Sequence, residues 1–155
     1  MSETTRNRIV VGVDGSTESI KALGWAARFA RVEPDAEILA VIAWEYPAYY
    51  GWSAAGAYAI PELNPKEMAR SALDDAIDSA FGEARPAHLS IEVVQGNAAK
   101  ILIDRSRDAM LLVLGSRGHG GFSGLLLGSV SMNCAEHATC PVLVVHSDAH
   151  DRAEG

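Results

Sequence analysis

The residues best suited to do chemistry lie in one stretch, Gly115-Ser116-Arg117-Gly118-His119-Gly120-Gly121-Phe122-Ser123-Gly124, which continues through three leucines to Gly128-Ser129. Glycines let a backbone adopt positive φ and turn several N–H groups toward one anion, with no side chains in the way. Gly128-Ser129-Val130 then opens a helical pattern, and the unclaimed N–H groups and positive dipole end of a helix suit a phosphate. One helix-end charge interaction contributes on the order of 0.3–2 kcal/mol, so several together can hold a polyphosphate. The competing reading is a plain glycine loop with Ser129 as an ordinary N-cap. The stretch is not a P-loop, because no Gly-Lys-Ser/Thr follows the glycines, and Gly118-His119-Gly120 lacks the third glycine of a dinucleotide fingerprint.

A second polar cluster, Gly12-Val13-Asp14-Gly15-Ser16, ends the first apolar run. Asp14 is either a ligand contact or a residue that caps its own turn, a common use of Asp and Ser at strand ends. Arg117 can clamp a phosphate or stand solvated in the loop. His119 can approach a terminal phosphate or be an exposed loop histidine. No catalytic residue is assigned: phosphoryl transfer needs a water activator and a charge-stabilising cation in addition to phosphate binding, and no Walker B-like carboxylate or obvious arginine finger stands out. Residues 51–56 have the wrong spacing for a nucleophile elbow. His146 and His150, with Asp148 and Asp151, lie in a polar tail, which lacks the fixed geometry of a metal site.

The elements that must position these clusters follow from periodicity. Residues 8–13 form a short β-branched strand, and a helix from Ser16 or Thr17 places Ile20, Leu23, Ala27 and Ala30 on one face, with Glu18 in its first turn. A nearly all-apolar strand spans 37–44. Asn64-Pro65 starts a helix running to about Gly82 with Met68, Leu73, Ala76, Ile77 and Ala80 as its apolar set. Residues 88–95 alternate as a strand, Gly96-Asn97 begins a short helix, and 110–115 is another apolar strand. A helix over 129–137 and a strand over 141–146 complete the pattern.

Strands alternating with helices imply right-handed crossovers and a parallel sheet covered on both faces. Five strands and four helices make an open, doubly wound, Rossmann-like α/β domain. Ligands in such sheets bind beyond the carboxyl ends of strands where the strand order reverses. If the first strand is central, the cluster at Asp14 lies beside Leu114-Gly115-Ser116-Arg117-Gly118.

The 155 residues suit one domain, expected over 6–147 with flexible tails at 1–5 and 148–155. Thirteen basic against 20 acidic residues give a net charge of −7, which argues against general binding to nucleic acid or an anionic membrane. No apolar run is long enough to span a bilayer. The polar start of the chain does not read as a signal peptide. Cys134 and Cys140 lack the spacing of a zinc site, and free, buried or half-buried thiols fit a cytoplasmic protein. Residues 45–63 show no period yet hold Tyr46, Tyr49, Tyr50, Trp52 and Tyr58. That segment is read as a lid over a bound ligand, a partner contact, or aromatics lying on the domain's own surface.

Gly115-x2-Gly118-x9-Gly128-Ser129, residues 11–16 (Val-Gly-Val-Asp-Gly-Ser) and residues 137–145 (His-Ala-Thr-Cys-Pro-Val-Leu-Val-Val) together resemble the universal stress protein family. The likeness covers about residues 6–147 in order and spacing. It implies an adenine-nucleotide-binding fold with strand order 3-2-1-4-5, usually dimeric through the last strand. By resemblance, Asp14 contacts the ribose and adenine region, with Gly12, Val13, Gly15 and Ser16 among the nucleotide-binding residues around it, and the backbone near Val41 reads the adenine edge. Leu114, Gly115, Ser116, Arg117, Gly118, His119 and Gly120, with Gly128, Ser129 and Val130, hold the phosphates, often with Mg²⁺. Met110 stands where the family often has Asp, a position outside the phosphate loop. The functional expectation is an ATP-binding stress or signalling sensor whose occupancy biases the conformation or partner choice of a homodimer. The alternatives are slow ATP hydrolysis or phosphotransfer, and binding of cyclic AMP by the same fold. For the dimer there is also a physical motive: Val142, Leu143, Val144 and Val145 form an apolar edge strand, and such edges are normally paired or covered.

Overall fold

A computed structural model of the protein describes residues 7–46, 64–117 and 127–146. Its elements follow in the order β1 (Arg8–Gly12), α1 (Thr17–Val32), β2 (Glu37–Trp44), α2 (Pro65–Phe81), β3 (Leu89–Gln95), α3 (Ala98–Arg105), β4 (Leu111–Gly115), α4 (Ser129–His137) and β5 (Val142–Val145). The strands form one five-stranded sheet in the order β3-β2-β1-β4-β5, with every pairing parallel. The doubly wound α/β expectation and its strand order therefore hold.

Each face of the sheet has its own core. One cluster packs Ile9, Val11, Ile38 and Ala40 beneath Leu23 of α1 and Leu73 and Ile77 of α2. The other packs Val10, Val41, Leu112 and Leu114 beneath Ile101 and Leu102 of α3 and Cys134 of α4. Alternation along β1 sends Ile9 and Val11 to one face and Val10 to the other. All three are fully buried, as expected of a central parallel strand.

Three helices begin on side-chain caps. Ser16 accepts a hydrogen bond from the Ser19 N–H, Asn64 from that of Glu67, and Asn97 from that of Lys100. Pro65 occupies the first helical position of α2, where its missing N–H costs nothing. The buried face of α1 is rotated from the one the periodicity suggests. Ser19, Ala22, Leu23 and Ala26 are the buried residues, while Ile20, Ala27 and Ala30 are only partly buried at its edge. The first turn of α1 rests directly on Gly115 of β4, which places the small Ser19 on the buried side together with Ala22, Leu23 and Ala26. Met68 differs from its expected place on the buried side of α2 and stands largely exposed.

Candidate functional site at the carboxyl ends of β1 and β4

β1 and β4 are neighbours, and their chains leave in opposite directions, β1 into α1 and β4 toward α4. The crevice at this reversal is where doubly wound sheets present polar loop groups.

Asp14 is exposed and its Oδ1 accepts a 2.9 Å hydrogen bond from the Ser16 N–H. This is an Asx turn, so the turn-capping reading of Asp14 is realised. Gly15 follows at φ +85°, a conformation costly for residues with a Cβ. Ser16 is buried and caps α1. Ser19 closes the turn from the other side: its hydroxyl donates to the Ser16 carbonyl at 2.9 Å and accepts from the Asp14 N–H at 3.4 Å. The Asp14 carboxylate is thus held at the mouth of the crevice by a turn that the buried serines make rigid.

Leu114 is buried and Gly115 ends β4. A Cβ at Gly115 would come within 2.6 Å of Glu18 Cβ and 2.9 Å of the Glu18 carbonyl carbon, so glycine here allows the first turn of α1 to rest directly on the strand. Gly12 also answers to packing, since a Cβ there would press on Leu114 and Leu102 at 2.6 and 2.8 Å.

Ser116 is buried, its N–H donating to Val145 and its carbonyl accepting from the Gly128 N–H at 2.7 Å. That last bond closes the loop between β4 and α4 at its two ends. Arg117 is half-buried beside it. Gly118, His119 and Gly120 lie outside the described residues, as do Tyr49, Tyr50, Trp52, Tyr58 and His150.

α4 differs from the other helices at its start. Gly128, not Ser129, is the N-cap, and no side chain caps the helix. Ser129 is exposed at the first helical position, and Val130 packs partly against the core. The reading of Ser129 as the N-cap is corrected accordingly. Glycine supplies no capping oxygen, so the first-turn N–H groups depend on water, loop or ligand. Ser131, which sequence reasoning passed over, is buried and donates a 2.6 Å hydrogen bond to the Gly115 carbonyl. It fastens the start of α4 to the end of β4.

Val41 lies deeper than the other expected contacts. Its side chain is 1% exposed and its carbonyl accepts from the Val13 N–H at 2.8 Å. Strand alternation sends the Trp44 carbonyl to the β3 side, where it accepts from Gly96. Ala43 therefore faces the β1 side, beyond the last paired residue of β1. Near Val41, the β1-facing backbone that no residue of β1 pairs is that of Ala43. Trp44 and Tyr46 meet edge to face, with centroids 5.3 Å apart, at the same end of β2.

Residues 5–146 match the model of the Universal stress protein family. The chain belongs to that family. A universal stress protein of Mycolicibacterium smegmatis is 38% identical over 160 residues, covering 97% of this chain and 53% of that protein. One from Mycobacterium tuberculosis is 34% identical over 153 residues, covering 90% and 48%. The chain thus spans about half the length of these curated relatives. Among solved structures, the universal stress protein UspA from Lactobacillus plantarum superposes with a TM-score of 0.69 at 21% identity, covering 90% of this chain and 97% of that one. Its likeness shows the fold. A universal stress protein solved in complex with cAMP is 28% identical, with a TM-score of 0.55 and coverage of 92% and 98%. A family member from Arabidopsis thaliana with AMP bound has a TM-score of 0.63 at 18% identity, covering 94% of each chain.

In this universal stress protein no described helix is long and apolar enough to cross a membrane. No three described His, Cys, Asp or Glu residues are grouped to hold a metal ion. Cys134 and Cys140 are free thiols, one buried and one half-buried.

Proposed function

We propose that this universal stress protein binds ATP at the carboxyl ends of β1 and β4, and that occupancy biases the conformation or partner choice of a homodimer. The observation that carries the reading is the meeting, at one strand-order reversal, of the Asp14 turn with a helix start that no side chain caps. Phosphate oxygens suit the first-turn N–H groups of α4 and the Ser129 hydroxyl. Asp14 is suited to accept from ribose hydroxyls, and the Ala43 backbone to meet the adenine edge. Gly118, His119, Gly120 and Arg117 complete the phosphate side by family resemblance. Mg²⁺ would be held mainly by the phosphates, in keeping with a donor set of amides and hydroxyls and no carboxylate cage among the described residues.

β5 lies at the sheet edge beside β4. We assign the homodimer contact to its outer side and the protein to the cytoplasm, where free thiols persist.

The test is thermal unfolding with and without ATP and Mg²⁺, on the wild type and on Gly118→Ala with Gly128→Ala, with circular dichroism as a check of folding. A ligand-dependent rise in Tm confined to the wild type supports the site. Equal rises in both proteins overturn the assignment. Cyclic AMP is the second reading, favoured by the cAMP complex of the 28% identical relative. Competition between the two nucleotides separates them. Phosphate release above that of the double variant would mark a slow ATPase.

A further inference from the structure

The opposite, amino-terminal end of the sheet carries a second concavity, remote from the residues discussed above. It is an open cleft of about 260 Å³ between the last turns of α1 and α2 and the entries to β2 and β3. Ala27, Ala30, Phe81 and Pro86 wall it with apolar surface, and the ionisable side chains at its lining are Arg31 and His88. Among the described residues no acidic side chain lines it, although the protein as a whole is strongly acidic. Small side chains on the α1 wall leave the space, since Ala27 and Ala30, partly buried at the edge of the core, reach only a short way from the helix. Arg31 is exposed, and among the described residues it forms no salt bridge.

We propose that this cleft binds a small apolar monocarboxylic acid, with its carboxylate on Arg31 and its hydrocarbon or aryl body between Ala27, Ala30 and Phe81. The volume sets the size: clefts of roughly 300–1,000 Å³ bury drug-sized molecules, so this one takes about ten to fifteen non-hydrogen atoms. The fork of a guanidinium matches a carboxylate in two parallel hydrogen bonds. Helix polarity limits the charge. α1 and α2 both reach the cleft by their C-terminal ends, whose partial negative charge opposes any anion, and a phosphate dianion more than a single carboxylate. The attraction for the carboxylate therefore comes from Arg31 alone. The nucleotide site has the reverse polarity, with helix starts facing the ligand, so the two ends select different anions.

The probe is 3-phenylpropanoate, with 3-phenylpropan-1-ol and inorganic phosphate as controls. Binding is followed by amide chemical-shift changes on the full chain in the absence of nucleotide. We expect saturable shifts in the millimolar range or tighter around Ala30, Arg31, Ala87 and His88, with the alcohol and phosphate producing none. Arg31→Met keeps the stem of an exposed side chain and should weaken binding of the acid about tenfold. Ala30→Leu, which fills the cleft from its wall, should abolish it while the spectrum stays folded. Absence of saturable shifts, shifts centred on Asp14 and Ser129, or equal affinity in Arg31→Met would each overturn the proposal. None of these outcomes depends on the nucleotide reading.

Discussion

The Ser131 hydroxyl donates a 2.6 Å hydrogen bond to the carbonyl of Gly115, joining the third residue of α4 to the last residue of β4. The end of β4 and the start of α4 are therefore joined directly, and not only through the glycine-rich loop. Ser131→Ala leaves a carbonyl in a buried setting without its partner, a loss of about 1–3 kcal/mol. For a chain of this size that corresponds to a fall in Tm of roughly 2–4 °C per kcal/mol. Calorimetry should show the fall, and nucleotide affinity should drop with it because the start of α4 is no longer held in place.

Gly115→Ala tests the contact on the other side of the same strand end. The added methyl meets the Glu18 backbone at 2.9 Å and the Ser19 nitrogen at 3.0 Å, neither of which can rotate away as a flexible side chain would. Overpacking of this kind costs typically about 1–3 kcal/mol. Denaturant unfolding should show a lower midpoint with an unchanged m-value.

Asp14 and Ser16 divide two tasks that lie side by side. Ser16→Ala removes the N-cap of α1 and should cost about 0.5–2 kcal/mol of stability. Asp14→Asn keeps an oxygen for the Ser16 N–H and removes the charge, so stability should change little while ATP binding weakens. Titration calorimetry beside thermal unfolding would separate the effects; a large stability loss in Asp14→Asn would show the charge to be structural.

Burial pushes the Cys134 thiol up to about 11, with a smaller contribution from nearby Cys140. The folded state then prefers the protonated thiol more than the unfolded chain does. Its stabilising effect is complete below the ordinary thiol value of 9.0 and is lost as pH rises from there through about 11. Cys134→Ser should flatten that part of the stability profile. At pH 8, iodoacetamide should modify half-buried Cys140 slowly and Cys134 only on unfolding.

The peptide groups of β5 alternate between β4 and the open edge. The Pro141 and Val145 carbonyls face β4, accepting from Leu112 and Ser116, so Val144 presents its N–H outward. Val144→Pro removes that outward donor and spares the internal ladder. If backbone pairing joins two copies here, light scattering should report a dimer for the wild type and a monomer for Val144→Pro. An unchanged mass would move the contact elsewhere.

Sequence alone determined the local features of this protein. Apolar runs at 37–44 and 111–115 require strands buried on both faces, and Ser16, Asn64-Pro65 and Asn97 carry their helix starts in their own side chains. The polar character of the Asp14 turn and of the Gly128-Ser129 helix start was legible in short motifs, whereas the placing of the Asp14 turn beside the end of β4 rested on a strand order that the sheet bears out. Tertiary structure decided which surfaces meet, and those depend on contacts between residues far apart in the chain. Ser19 and Ser131 look like ordinary helical serines until β4 and the neighbouring turn supply their partners. The need for glycine at 115 arises from Glu18, nearly a hundred positions earlier. Val41 and Ala43 are equally apolar residues of one strand, and only the length of the neighbouring β1 decides whose backbone is taken up by the sheet.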